Sequence, residues 1–168
     1  LNVSAKTLSR MKGIEHFTGM KNLTVNDSEG EFEIQIDEDL PLIDNLNVSA
    51  KTLSRMKGLH HFTGLKNLYV PDSSNQERIN VTVSLPESLE ALTFSYKVLS
   101  QMSSTFPNLE QLSVYCQIED QILSFTENLA PKLKVLGFLN FQGNSINGLS
   151  VFSSLETLDF MQSPQMTN

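Results

Sequence analysis

The sequence predicts an α/β chain wound as one curved, right-handed solenoid. A parallel β-sheet of about eight strands lines its concave side, and mixed helical and extended returns cross its convex side. Three observations predict this. Residues 1–25 recur almost unchanged at 46–70. A shorter apolar element repeats every 20–24 residues. The stretches between these elements show two different apolar spacings.

The duplicated stretches read LNVSAKTLSRMKGIEHFTGMKNLTV and LNVSAKTLSRMKGLHHFTGLKNLYV. They differ only at Ile14/Leu59, Glu15/His60, Met20/Leu65 and Thr24/Tyr69, so a unit of 45 residues has been copied.

The shorter element has apolar residues at its first, fourth and sixth places. It occurs as Met20-Leu23-Val25, Ile43-Leu46-Val48, Leu65-Leu68-Val70, Leu89-Leu92-Phe94, Leu109-Leu112-Val114, Leu133-Leu136-Phe138 and Leu155-Leu158-Phe160, with Leu1-Val3 as a shortened first copy. From residue 1, the middle residues step by 22, 23, 22, 24, 20, 24 and 22. Leucine-rich repeats run at about 20–29 residues, and this spacing falls among them.

The last two apolar residues of each element lie two apart, so they face one side of a short strand. One such strand cannot bury its apolar side alone, but a stack of parallel strands makes a continuous core. The expected strands are 20–25, 43–48, 65–70, 89–94, 109–114, 133–138 and 155–160. Leu23, Leu46, Leu68, Leu92, Leu112, Leu136 and Leu158 are expected to form a buried column.

Two kinds of return follow. Leu8, Met11, Ile14 and Phe17 lie three apart, as do Leu53, Met56, Leu59 and Phe62, which suits a helical or 3₁₀ path with one face inward. Phe32, Ile34 and Ile36 instead alternate with polar residues, as do Ile79, Val81 and Val83, which reads as extended chain. Residues 118–129, IEDQILSFTENL, fit either pattern and are assigned to a helix.

The segments KGIEHFTGMKNLTV (12–25), KGLHHFTGLKNLYV (57–70) and NGLSVFSSLETLDF (147–160) share one spacing of Gly, Phe and later apolar residues. It resembles the 22-residue repeat of bacterial internalin-type proteins and their intracellular relatives of the SDS22 type. SLPESLEALTF (84–94) looks more like the repeats of secreted bacterial effectors of the YopM and IpaH kind. Those families place Asn three residues after the last strand leucine. Here Lys6, Ser28, Lys51, Ser73, Lys97, Gln117, Phe141 and Ser163 stand there, so those families' Asn ladder at the turn is missing and an irregular solenoid is expected. Leu1 begins inside an element and the chain stops just after Phe160. Residues 1–168 are therefore expected to be a single repeat domain whose polar caps lie outside the sequence.

The chain carries a net charge of -7, and its basic residues are dispersed. That argues against nucleic acid and anionic lipid as partners. No run of about 18 apolar residues exists to span a membrane. Cys116 is the single cysteine and is expected to be a small, half-buried apolar residue, with no intrachain disulfide. His16 and His61 are equivalent by repeat and read as solvated convex residues, not ligands. Asp37-Glu38-Asp39 lacks the spacing of a calcium loop. Gly143 to Gly148 misses a nucleophile elbow by one residue. No catalytic, metal or cofactor site is expected. The sequons at Asn2, Asn22, Asn26, Asn47 and Asn80 read as ordinary polar residues, because Asn2 and Asn47 fall at mid-strand.

The concave face is small and polar over the first strands, through Asn2, Asn22, Thr24, Asn45 and Asn47. Further along it becomes aromatic and apolar. Tyr69, Thr93, Ser95, Ser113, Tyr115, Leu139 and Met161 are the expected protein-binding residues, with the two tyrosine rings on the order of 10 Å apart from the strand spacing. The function expected is recognition of another protein, by a bacterial surface protein or by an effector delivered to a host cytosol. The alternative is a repeat arm that recruits substrates for a catalytic domain outside this chain, as in effector ubiquitin ligases.

Overall fold

The computed structural model describes residues 1–26, 33–70, 85–99, 105–116, 122–125 and 129–161. Twelve strands lie among them: β1 (Asn2–Ser4), β2 (Asn22–Asn26), β3 (Ile34–Gln35), β4 (Asn45–Val48), β5 (Met56–Lys57), β6 (Asn67–Tyr69), β7 (Ala91–Ser95), β8 (Gln111–Tyr115), β9 (Ile122–Ser124), β10 (Val135–Leu139), β11 (Ser145–Asn147) and β12 (Thr157–Met161). Eight form one sheet in the order β1-β2-β4-β6-β7-β8-β10-β12, and every pair is parallel. The fold is α/β, with a large parallel sheet and few, short helices.

The register aligns Leu23, Leu46, Leu68, Leu92, Leu112, Leu136 and Leu158 across seven strands. The first six are 2% exposed or less, as the two-residue alternation requires. Leu158 corrects the expectation: it is 39% exposed. Among the described residues β12 pairs with β10 alone, so its inward side chains are covered from one side only.

The strands also start two residues later than expected. The first apolar residue of each element ends a turn instead. Leu65 N donates to Phe62 O at 3.0 Å, Leu109 N to Phe106 O at 3.3 Å and Leu133 N to Ala130 O at 3.1 Å. These side chains are buried, but their N–H groups are satisfied within the turn, and the ladder begins only beyond it.

The returns are more broken than the threefold spacing implies. α1 (Ala5–Leu8) and α2 (Ala50–Leu53) start directly from the sheet, and each has one turn. The Ser4 and Ser49 hydroxyls cap them, accepting from Thr7 N and Thr52 N at 3.1 Å. A third helix, α3 (Tyr96–Leu99), follows β7 in the same way. Gly13 and Gly58 then adopt φ of 77° and 82° and open 3₁₀ turns at Ile14–His16 and Leu59–His61. Between α2 and its turn the chain is extended as β5, not helical, because it pairs with β3 of the preceding return. Phe17 departs further: it is 51% exposed, although its copy Phe62 is 0% exposed.

The extended return at Ile34–Ile36 is present, with both isoleucines buried and Gln35 and Asp37 on solvent. Phe32, Ile79, Val81 and Val83 lie outside the described residues. The helix expected over 118–129 is overturned where that stretch is described: Ile122–Ser124 is strand β9, parallel to β11. Leu123 and Phe125 point inward while Ile122 and Ser124 are exposed, which is period two, and the next return supplies a partner. Cys116 is fully rather than half buried.

Candidate functional site: the outer face of the sheet

Side chains between the buried leucines point to the opposite face of the sheet. At its first strands this face carries an asparagine ladder. Asn45 Nδ2 donates to Asn22 Oδ1 and Asn67 Nδ2 to Asn45 Oδ1, both at 2.7 Å. The three residues share one register position on β2, β4 and β6, so identical amides stack one strand apart. A third amide contact runs diagonally between β1 and β2, with Asn26 Nδ2 donating to Asn2 Oδ1 at 2.6 Å. Sequence reasoning placed Asn2, Asn22 and Asn45 on a polar face, did not single out Asn67, and missed the ladder. The signal was present: asparagines at 22, 45 and 67, each immediately before a core leucine. Asn45→Ala removes two amide bonds and Asn22→Ala one. The expected losses of stability are about 1–2 kcal/mol and about 1 kcal/mol, at roughly 1 kcal/mol per bond. Urea unfolding of both variants checks the order, and a larger loss for Asn22→Ala would contradict the ladder.

Beyond the ladder lies an aromatic pair. The register sets Tyr69, Thr93 and Ser113 side by side on β6, β7 and β8. Two residues further along, it sets Ser95, Tyr115, Leu139 and Met161 side by side on β7, β8, β10 and β12. Tyr69 and Tyr115 thus stand diagonally across β7. Their rings meet edge to face at 6.4 Å between centroids, and their hydroxyl oxygens are 2.9 Å apart. The expected separation is corrected downward: the rings lean together over the small Thr93 and Ser95. Tyr69 stays 37% exposed, Met161 is 53% exposed, and Thr93, Ser113, Tyr115 and Leu139 are half-buried. Ser95 is the exception among the expected contact residues. It is 5% exposed beside the tyrosine bridge, so it supports the site and does not present a surface.

A row of charges borders the strand starts. Lys66 Nζ lies 3.1 Å from Glu90 Oε1, and Lys134 Nζ donates to Glu110 Oε2 at 2.9 Å. The hydrogen bond and charge of Glu110, with help from Glu156, raise the Lys134 pKa above its ordinary value. These groups are pairwise compensated, and the row is not a bare cationic surface.

On the opposite side His61 is not simply solvated. Its Nδ1 lies 2.8 Å from Asp39 Oδ1, which ties its 3₁₀ turn to the preceding return. Among the described residues, no group of three or more His, Cys, Asp and Glu side chains is placed to hold a metal ion. No helix among them is long and apolar enough to cross a membrane.

Compared with protein-family models, with curated proteins and with solved structures, the chain matches none.

Proposed function

We propose that the chain is a leucine-rich-repeat solenoid that binds another protein through the concave, outer face of its eight-stranded sheet. The repeat reading is supported by one parallel strand per 20–24 residues, with strands paired in chain order. It is also supported by the spacing that resembles internalin-type repeats. The observation that carries the binding reading is the Tyr69–Tyr115 pair. Two amphipathic rings are held against each other by a hydroxyl contact, on a face with Met161 and Leu139 beside them. Tyrosines fixed in this way lose little conformational entropy when a partner closes on them. Aromatic residues of this kind dominate binding energy.

The test is a titration of a captured partner against wild type and the Tyr69→Ala/Tyr115→Ala double variant. The expected result is a loss of affinity of about 30-fold or more, equivalent to about 2 kcal/mol. The melting temperature should fall little, because the edge-to-face contact contributes only about 0.5–1.5 kcal/mol beyond its area. Unchanged affinity would remove the binding site from this face.

A further inference from the structure

Of the asparagines that point outward from the sheet, Asn47 is the one with no side-chain hydrogen bond among the described residues. Asn22, Asn45 and Asn67 are tied into the ladder, and Asn2 Oδ1 accepts from Asn26 at 2.6 Å. Asn47 is the copy of Asn2 in the duplicated unit, and two differences between the copies set it apart. Pro71 stands where Asn26 does, and proline has no side-chain amide to donate. Tyr69 stands where Thr24 does. The register sets Asn47 between Thr24 on β2 and Tyr69 on β6. Asn47 is half-buried, and no side-chain oxygen or nitrogen among the described residues is both buried and unbonded. Its amide oxygen and nitrogen therefore open to solvent beside the Tyr69 ring.

The surroundings define what this amide meets. The same row continues through Thr93 and Ser113 on β7 and β8. No Asp, Glu, Lys, Arg or His projects outward from β1, β2, β4, β6, β7, β8 or β10, and Asp159 on β12 is the first. A charge brought onto the row would lose water and find no counter-charge. The face therefore selects an uncharged occupant that offers a donor and an acceptor together. An extended peptide does this. The N–H and C=O of one residue point to the same side of a strand, as they do where antiparallel strands exchange both bonds. They match the acceptor Oδ1 and the donor Nδ2 of a single asparagine.

We propose that Asn47 is a specificity-determining residue of the tyrosine site, pairing its amide with the main chain of an uncharged, extended segment of the partner. The inference rests on the reading that this face binds protein. The segment crosses β4, β6 and β7 and lays an apolar side chain on the Tyr69 ring, one strand spacing of about 4.8 Å from Asn47. The tyrosine pair supplies contact area, and Asn47 fixes the register of the segment. The first copy does not build this site: the Asn2 oxygen is taken by Asn26, and Thr24 offers no ring.

The experiment pans the immobilised full chain against a phage-displayed library of random peptides, then titrates the most enriched peptide by fluorescence anisotropy. Enriched sequences are expected to share a central stretch without charged residues. Asn47→Ala should weaken binding at least about tenfold, the loss of two neutral hydrogen bonds, with the urea midpoint unchanged. Methylating the peptide's backbone nitrogens one at a time should find one position with a loss of similar size. That loss should vanish in Asn47→Ala, because the partner of the methylated nitrogen is already gone. A peptide that loses binding in Tyr69→Ala/Tyr115→Ala but keeps its affinity for Asn47→Ala overturns the inference and leaves the binding reading standing. Methylation losses that persist undiminished in Asn47→Ala overturn the main-chain pairing. Binding that resists all three substitutions takes the site off this face and overturns both readings. Enrichment of charged peptides, or of none, overturns the inference alone, since titration of a captured partner against the double tyrosine variant still decides the broader reading.

Discussion

Leu68→Ala is expected to lower the unfolding free energy by about 2–5 kcal/mol. Leu68 is 2% exposed and sits in register between Leu46 and Leu92, so its side chain is clasped by its equivalents on both neighbouring strands. Truncation loses the transfer free energy of the buried side chain and leaves a void that stacked strands cannot easily collapse to fill. Two controls make the measurement decisive. Asn47→Ala lies on the outer face of the neighbouring strand, opposite Tyr69, and should stay within about 0.5 kcal/mol, the range for ordinary surface changes. Leu158→Ala removes the same atoms from the same column, but from the partly exposed edge strand, and should cost clearly less than Leu68→Ala. Urea denaturation gives all three. Equal midpoints for Leu68→Ala and Asn47→Ala would mean that the two faces of the sheet are exchanged, since a slip of one residue swaps them.

The column was legible in the sequence because strand alternation is local: residues two apart share a face whatever surrounds them. The onset of each strand was not legible. Leu65 looks like a strand residue by its apolar character, yet its N–H closes a turn on Phe62 O, and apolar character reports burial without distinguishing the two. The returns were less legible still. Met56 and Lys57 become a strand only because Ile34 and Gln35 arrive beside them. Phe17 and Phe62 have nearly the same neighbours in sequence and opposite exposure. No local pattern separates them, because burial in a stacked array depends on which segment lies alongside.

The site shows the same division. Tyr69 and Tyr115 could be placed on the outer face by counting from the core leucines. Their contact could not be, because strand spacing fixes backbones while side chains lean. The small Thr93 and Ser95 permit that lean, and residue size between two aromatics is a signal that a purely positional reading discards. Ser95 was expected at the surface on position alone, yet it is 5% exposed.

The glycines of the two copies lead to the second large effect. Gly58→Ala should destabilise the chain by roughly 1–3 kcal/mol more than Gly13→Ala, although both substitutions occur within KG(I/L)xHF in duplicated sequence. Both glycines have left-handed φ, 77° at Gly13 and 82° at Gly58. Alanine at either place therefore incurs the left-handed penalty of about 1–2 kcal/mol. At Gly13 little else follows, because among the described residues the nearest atom to the new Cβ is the flexible His16 ring at 3.4 Å. At Gly58 the Cβ would lie 2.0 Å from Ile36 O, so backbone must move. That displacement strains the hydrogen bonds from Ile34, Ile36 and Leu40 and adds about 1–3 kcal/mol, as overpacking does. Gly148→Ala should behave like Gly58→Ala, since Phe125 O would be 1.8 Å from its Cβ. Thermal and urea unfolding of the three variants would separate the contributions, and hydrogen exchange at Ile34 and Ile36 would report the loosened strand directly. Equal losses for Gly13→Ala and Gly58→Ala would show that the glycines serve backbone conformation alone, and that the close approach of the preceding segment carries no stability.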